Sequence, residues 1–284
     1  MALEARTLGP VTTPRAQVCW LFSMTRSGSS VAAYAAAHPW GVPVADEVFT
    51  SFEDRTRPPY NFPVQQRALR ELYLSVGERL TPEVCALAED VLARIAGSAS
   101  GTARRVVSKH PHDVIDVSEF RSAFPHHRAV HLLRNPLHRL NSIYRRNWQA
   151  IMGENFDLPR FSRIARRWLE AEHRVTFDTL QRDPAAFFGA VWRAWGWEFD
   201  GSHVRSASEY QRTHYHASSA KLSAKKKPSR VFSEARFALP RHVIDLYLND
   251  PFVRPLMERV GWSTDPEAYL SGDADGAEIG RAHV

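Results

Sequence analysis

Short apolar runs that end in polar loops alternate along this chain with longer stretches of helical periodicity. Val18-Cys19-Trp20-Leu21-Phe22 is the first such run and reads as a buried strand. The polar loop Ser23 to Ser30 follows it, and Val31 to Ala37 then starts a helix that His38-Pro39-Trp40-Gly41 ends. Val42-Pro43-Val44-Ala45 is a weaker strand leading into Asp46-Glu47. Gln65 to Leu80 and Pro82 to Ile95 carry helical periodicity. Arg105-Val106-Val107-Ser108 is a strand running into Lys109-His110-Pro111, and Arg128 to Leu133 is a strand opening into Arg134-Asn135-Pro136. A helix from about Leu137 to Trp148 follows, then a helix over Leu158 to His173, a strand-like Arg174 to Phe177, and a helix over Pro184 to Trp195.

Strands alternating with helices imply an α/β domain built on one central parallel sheet with helices on both faces. Ligands of such sheets sit beyond the carboxyl ends of the strands. The polar loops named above all leave strands at that end, so the candidate chemistry collects there.

Thr25-Arg26-Ser27-Gly28-Ser29-Ser30 links a buried strand to a helix. Backbone N–H groups at such a junction face one point and bind phosphate-like anions, with the hydroxyls and Arg26 as further donors. Gly28 lets the backbone turn tightly against a ligand. The Gly-Lys-Ser/Thr ending of a Walker A loop is missing, and a helix-capping Ser/Gly turn explains the segment equally well when it stands alone. Arg134 leaves a strand end, and Ser142 lies about two helical turns later, so a charged fork and a hydroxyl can converge on one phosphate. By itself this segment also fits an ordinary strand–helix junction with a surface arginine.

Together the two segments resemble the sulfotransferases that use 3′-phosphoadenosine 5′-phosphosulfate. In that family a strand-loop-helix of the type Pro/Thr-Lys/Arg-Ser-Gly-Thr/Ser-Thr/Ser holds the 5′-phosphosulfate, and a later Arg-(Asn/Asp)-Pro-x-x-Arg-x-x-Ser holds the 3′-phosphate. Arg26, Ser27, Gly28, Ser29 and Ser30 fill the first pattern; Arg134, Asn135, Pro136, Arg139 and Ser142 fill the second. Val175 to Pro184 and Gly196-Trp197-Glu198-Phe199 resemble a third family stretch, which places Phe177 near the adenine where the family has Tyr. The resemblance runs over roughly residues 18 to 262 and implies a single domain, 18–270, of the P-loop-NTPase-like sulfotransferase fold, with an N-terminal extension (1–17) and a flexible tail (271–284).

For the base that takes the acceptor proton the resemblance offers two residues. Ser108-Lys109-His110-Pro111 is similar to a family loop whose His is the base in many members, with Lys109 displaced by one position. Other branches place a catalytic Glu after the second strand, where this chain has Glu47. Arg26 would stabilise charge on the departing bisphosphate. The acceptor class stays open: a hydroxyl or amine of a small molecule or carbohydrate, with Arg55, Arg57 and Tyr60 in the Pro- and Arg-rich excursion as pocket candidates. A nucleotide kinase of P-loop type and a non-catalytic nucleotide-binding protein are the alternatives.

Composition trims this picture without choosing within it. Lys and Arg outnumber Asp and Glu by 37 to 31, a net charge of +6 that suits an anionic substrate. The run Lys225 to Arg230 lacks interleaved aromatics or a reading module, so no nucleic-acid partner is expected; it sits where the family closes over the 3′-phosphate. Among the thirteen histidines no His-Glu-x-x-His or comparable spacing appears, and no metal is expected. Cys19 and Cys85 are far apart, and no apolar stretch has signal-peptide or membrane-spanning character. A cytoplasmic protein without a membrane partner is the expectation. Trp192, Trp195 and Trp197 read as core.

Overall fold

Apolar runs bounded by polar turns become strands covered on both faces, and the chain forms the α/β fold its periodicity predicts. The structure, a computed structural model, describes residues 16–49, 63–97, 104–110, 116–144, 154–213 and 239–270. The excursion with Arg55, Arg57 and Tyr60, the Lys225 to Arg230 run and the 271–284 tail lie outside the described residues, as do residues 1–15 of the extension.

Strands β1 (Gln17–Ser23), β2 (Val44–Asp46), β3 (Arg105–His110), β4 (Arg128–Leu133) and β5 (Arg174–Thr176) make one sheet in the order β2-β3-β1-β4-β5, every pairing parallel. Between them run α1 (Ser29–Ala37), α2 (Pro63–Ser75), α3 (Pro82–Gly97), α4 (Val117–Ala123), α5 (Pro136–Tyr144) and α6 (Glu154–Glu170). After β5 come α7 (Phe177–Arg182), α8 (Pro184–Trp195), α9 (Gly201–Thr213), α10 (Arg241–Leu248) and α11 (Val253–Val260). The chain leaves β1 toward β2, returns to β3, and crosses to β4 on the other side of β1. The crevice at the carboxyl end of β1 is therefore the switch point at which such sheets bind ligands.

Side-chain alternation divides the core. Cys19 and Leu21 of β1 join Val107, Val130, Leu132 and Val175 in a cluster covered by α1 and α8. Val18, Trp20 and Phe22 face the other way, into a cluster with α2, α3 and α4. A third cluster gathers α5, α6, α10 and α11 around Leu133 and Met24. Trp192 and Trp195 are wholly buried and Trp197 nearly so. Trp192 Nε1 donates to Ala36 O at 3.0 Å, which ties α8 to α1. Cys19 and Cys85 are both free thiols. Among the described residues no helix is long and apolar enough to cross a membrane.

Several boundaries differ from the sequence pattern for local reasons. β2 begins at Val44, after Pro43, whose missing N–H cannot enter the ladder; its carbonyl still accepts from Val107 N at 3.0 Å. α2 stops at Ser75, because Gly77 and Glu78 take positive φ of 69° and 59° and leave the helix. Phe177 opens α7 instead of ending β5, because the Thr176 hydroxyl accepts from Thr179 N at 3.2 Å and caps the helix.

Replacing Trp192 by Ala should lower the unfolding free energy by about 3–5 kcal/mol, through the cavity it leaves between α1 and α8. Urea denaturation of the variant beside the wild type measures this; an unchanged midpoint would contradict the packing described.

Candidate functional site

The turn between β1 and α1 is built around two left-handed residues, Arg26 at φ 70° and Gly28 at φ 85°. Ser27 N donates to Met24 O at 3.1 Å, and Gly28 O accepts from Ala32 N at 3.1 Å to begin α1. No side chain of the described residues caps α1, whose first turn carries the partial positive charge of a helix N-terminus. The Ser27 hydroxyl is fully buried without a hydrogen-bond partner among the described residues, and so is that of Ser23 just before the turn. Hydroxyls in this state retain capacity to bond a ligand oxygen or a water.

Glycine at 28 is needed twice over. Its backbone is left-handed, and a Cβ there would overlap the ring of Phe177. The Arg134 guanidinium lies 4.7 Å from the centroid of that ring. Phe177 is buried against the turn, so the residue expected near the adenine borders the Gly28 loop.

Asn135 and Pro136 explain how the second segment is shaped. The Asn135 side chain accepts from Leu137 N at 3.0 Å and His138 N at 3.2 Å, capping α5, and Pro136 fills its first position. Asn135 Nδ2 also donates to Tyr269 OH at 3.0 Å, which anchors the cap to the end of the described chain. This capping aims the rest of the segment at the first turn. Arg134 Nη1 donates to Arg26 O at 3.0 Å, and Arg139 Nη1 donates to Thr25 O at 3.2 Å. Arg26 reaches back to Ser142 Oγ through Nε at 3.1 Å and Nη2 at 3.0 Å.

Arg139 is fully buried, and burial brings its pKa down to about 10; Arg160, Arg134 and Arg26 add to the lowering, while Tyr247 opposes it. Three guanidiniums close enough to disfavour the charge of a fourth, Arg139, create a field that attracts an anion. Arg139 belongs to this set although sequence reasoning gave it no role; its place in the Arg-Asn-Pro-x-x-Arg pattern was the available signal.

The two candidate bases part company. Leu21 pairs with Lys109 and Phe22 with His110, so these neighbours on β3 face opposite sides of the sheet. Lys109 turns to the α1 side, where Nζ donates to Ser30 Oγ at 3.1 Å and to Glu47 Oε1 at 3.2 Å. It also lies 2.7 Å from Asp46 Oδ1. Glu47 is buried and left-handed at φ 55°, held there by its N–H donating to Lys109 O at 2.8 Å. His110 is wholly buried on the other face, edge-on to Phe22 and Phe49 with ring centroids 6.0 and 5.8 Å away. Thus Arg26, the Ser27–Ser30 turn, Arg134, Ser142 and Phe177 come together, Glu47 joins them through Lys109, and His110 stands apart. Asp46 and Lys109 complete the group; an acid pair at a strand end was visible in the sequence, but the lysine's orientation was not.

The described residues contain no cluster of three or more His, Cys, Asp or Glu side chains arranged to hold a metal ion. What fold and site define is an α/β protein whose switch point holds a strand–loop–helix turn ringed by arginines.

No family model matches the chain, and no curated protein matches it in sequence. Among solved structures, a mouse sulfotransferase complexed with PAP is similar over 87% of this chain and 89% of its own, with 10% identity and a TM-score of 0.49. A sulfotransferase from Alicyclobacillus acidocaldarius is similar over 88% of this chain and 98% of its own, with 14% identity and a TM-score of 0.44. Shikimate kinase from Bacteroides thetaiotaomicron is similar over 62% of this chain and 95% of its own, with 18% identity and a TM-score of 0.35. At these values none of the likenesses bears on what the chain does.

Gly28→Ala should destabilise the protein by more than the about 1–2 kcal/mol of a left-handed non-glycine residue, because the ring overlap adds to it. Adding Phe177→Ala should recover the overlap share alone. Thermal denaturation of the single and double variants checks this, and full recovery in the double variant would contradict a backbone requirement at position 28.

Proposed function

We propose that this protein is a sulfotransferase that moves the sulfuryl group of 3′-phosphoadenosine 5′-phosphosulfate to a hydroxyl or amine of a small-molecule or carbohydrate acceptor. One observation carries the reading. Two segments over a hundred residues apart, each weak alone, interlock through Arg26–Ser142, Arg134–Arg26 and Arg139–Thr25 at the carboxyl end of the central strand.

In this reading Arg26 and the Ser27–Ser30 turn hold the phosphosulfate, with the open N-terminus of α1 behind them. Arg134 and Ser142 grip the 3′-phosphate, and Phe177 lies beside the adenine. Arg139, which donates to the backbone at Thr25 O, acts as a positioning residue for the turn. The acceptor oxygen or nitrogen forms its bond to sulfur as the bond between sulfur and the bridging phosphate oxygen breaks. The electron pair of that bond stays on the departing adenosine 3′,5′-bisphosphate, whose new charge the arginines stabilise. The acceptor proton passes to a base.

Glu47 is the base this geometry favours. Lys109 ties its carboxylate to Ser30, next to the phosphosulfate turn, whereas the His110 ring packs among aromatics on the opposite face. One observation favours a second reading, a P-loop-type kinase: Asp46 and Glu47 bring two carboxylates to the end of β2 near Ser30. Lys109 Nζ stands between them, 2.7 Å from one and 3.2 Å from the other, in the place a magnesium ion would need.

The test follows release of adenosine 3′,5′-bisphosphate from the donor with a panel of phenols, sugars and amines. Wild-type protein should turn over with at least one acceptor, and Glu47→Gln should slow this by about 10²–10⁴-fold while keeping affinity for the bisphosphate. His110→Asn should retain turnover within about tenfold of wild type, given comparable folding. Full activity in Glu47→Gln with loss in His110→Asn would move the base to His110. Magnesium-dependent consumption of ATP with none of the sulfuryl donor would replace the sulfotransferase reading by the kinase, and bisphosphate binding without any turnover would leave a non-catalytic binder.

A further inference from the structure

Asp46 and Lys109 are ladder partners, because β2 pairs with β3 so that Val44 stands beside Val107 and Asp46 beside Lys109. Val44 and Val107 both enter the cluster under α1 and α8, and a residue two positions on keeps the same face. Asp46 and Lys109 therefore meet on the α1 side of the sheet, both buried, with Lys109 Nζ 2.7 Å from Asp46 Oδ1. A buried ammonium needs such a partner.

Glu47 breaks the alternation. In an extended strand the residue after Asp46 would point to the opposite face, the one Ala45 covers. A φ of 55° turns Glu47 back instead, and its carboxylate reaches the same lysine, Oε1 accepting from Nζ at 3.2 Å. Residues other than glycine seldom adopt this backbone, which persists where the surroundings hold it. Here one residue holds it at two points: the Glu47 N–H donates to Lys109 O at 2.8 Å, and the carboxylate accepts from Lys109 Nζ. The ammonium also donates to Ser30 Oγ at 3.1 Å, in the first turn of α1. A lysine carries three N–H donors, and this one has an oxygen for each, on Asp46, Glu47 and Ser30.

We propose that Lys109 and Asp46 form a positioning pair for Glu47: Asp46 anchors the ammonium, and the ammonium fixes the Glu47 carboxylate relative to the turn that starts α1. This role rests on Glu47 being the base that receives the acceptor proton. Lys109 acts through Glu47, so its loss should slow turnover only while Glu47 is there to be positioned.

Lys109→Met alone would leave two buried carboxylates without this ammonium, which endangers the fold. Combining it with Asp46→Asn removes one charge of each sign and keeps the net charge of the cluster. The thermal midpoint of this double variant and its affinity for adenosine 3′,5′-bisphosphate report that the fold and the donor turn persist. Two further readouts separate positioning from a merely structural role. In amide hydrogen exchange of the full chain, Glu47 should exchange at least about tenfold faster in the double variant, while the β1 amides keep their wild-type rates. In sulfuryl transfer to the acceptor that the wild type uses, the double variant should lower kcat by about 10²-fold. On a Glu47→Gln background the same two changes should cost less than about threefold. Equal losses on both backgrounds, wild-type kcat in the double variant, or Glu47 exchange that stays unchanged or rises only with the whole sheet would overturn the positioning pair alone. A wild type that turns over no acceptor would instead end the sulfotransferase reading, and the role of Lys109 with it.

Discussion

The structure around the switch point depends on two arginines held against the backbone of one short turn and on a third that reaches from that turn to a serine of α5. Arg139 binds the carbonyl of Thr25, Arg134 that of Arg26, and Arg26 itself crosses to Ser142. Because a trans peptide carries its C=O and N–H on opposite sides, a turn whose carbonyls face the arginines turns the N–H of Arg26 away from Arg139. Burying Arg139 in this company is unfavourable, as its lowered pKa records. The Thr25 carbonyl offsets part of that cost by accepting from Nη1, and an anion in the same region would offset more. Arg26 and Glu47 also adopt left-handed backbone, a cost of about 1–2 kcal/mol each that concentrates at this one site.

The parallel sheet decides which chemistry reaches that region. Register fixes Lys109 opposite Leu21 and His110 opposite Phe22, so one of two adjacent residues joins the turn and the other enters the aromatic cluster. A shift of one residue would exchange them. The buried set of Asp46, Glu47 and Lys109 then links the end of β2 to the first turn of α1 through Ser30. In this way a carboxylate and the β1–α1 turn, from separate strands, share one lysine.

Much of this was legible beforehand, for physical reasons. β1 and β4 announced themselves because strands buried on both faces need unbroken apolar runs, and Arg134-Asn135-Pro136 marked a strand end, a cap and a helix start. The facing of Lys109 and His110 was not legible, because parity depends on a register that only pairing sets. Arg139 was visible in the Arg-Asn-Pro-x-x-Arg pattern, but its contact with Thr25 O across the fold was not. α9, α10 and α11 escaped notice because their stability comes from packing one face on the core, while their sequences mix polar and apolar residues throughout.

The central claim is that the interlocked arginines form a site for a nucleotide with phosphates at both its 3′ and 5′ positions. Calorimetric titration with adenosine 3′,5′-bisphosphate, beside adenosine 5′-phosphate and ATP with and without magnesium, measures it directly. The account predicts tight binding of the bisphosphate, weaker binding of the singly placed 5′-phosphate, no magnesium requirement, and loss of that preference in Arg134→Ala. Equal affinity for the two adenosine phosphates, or a magnesium-dependent preference for ATP, would contradict it.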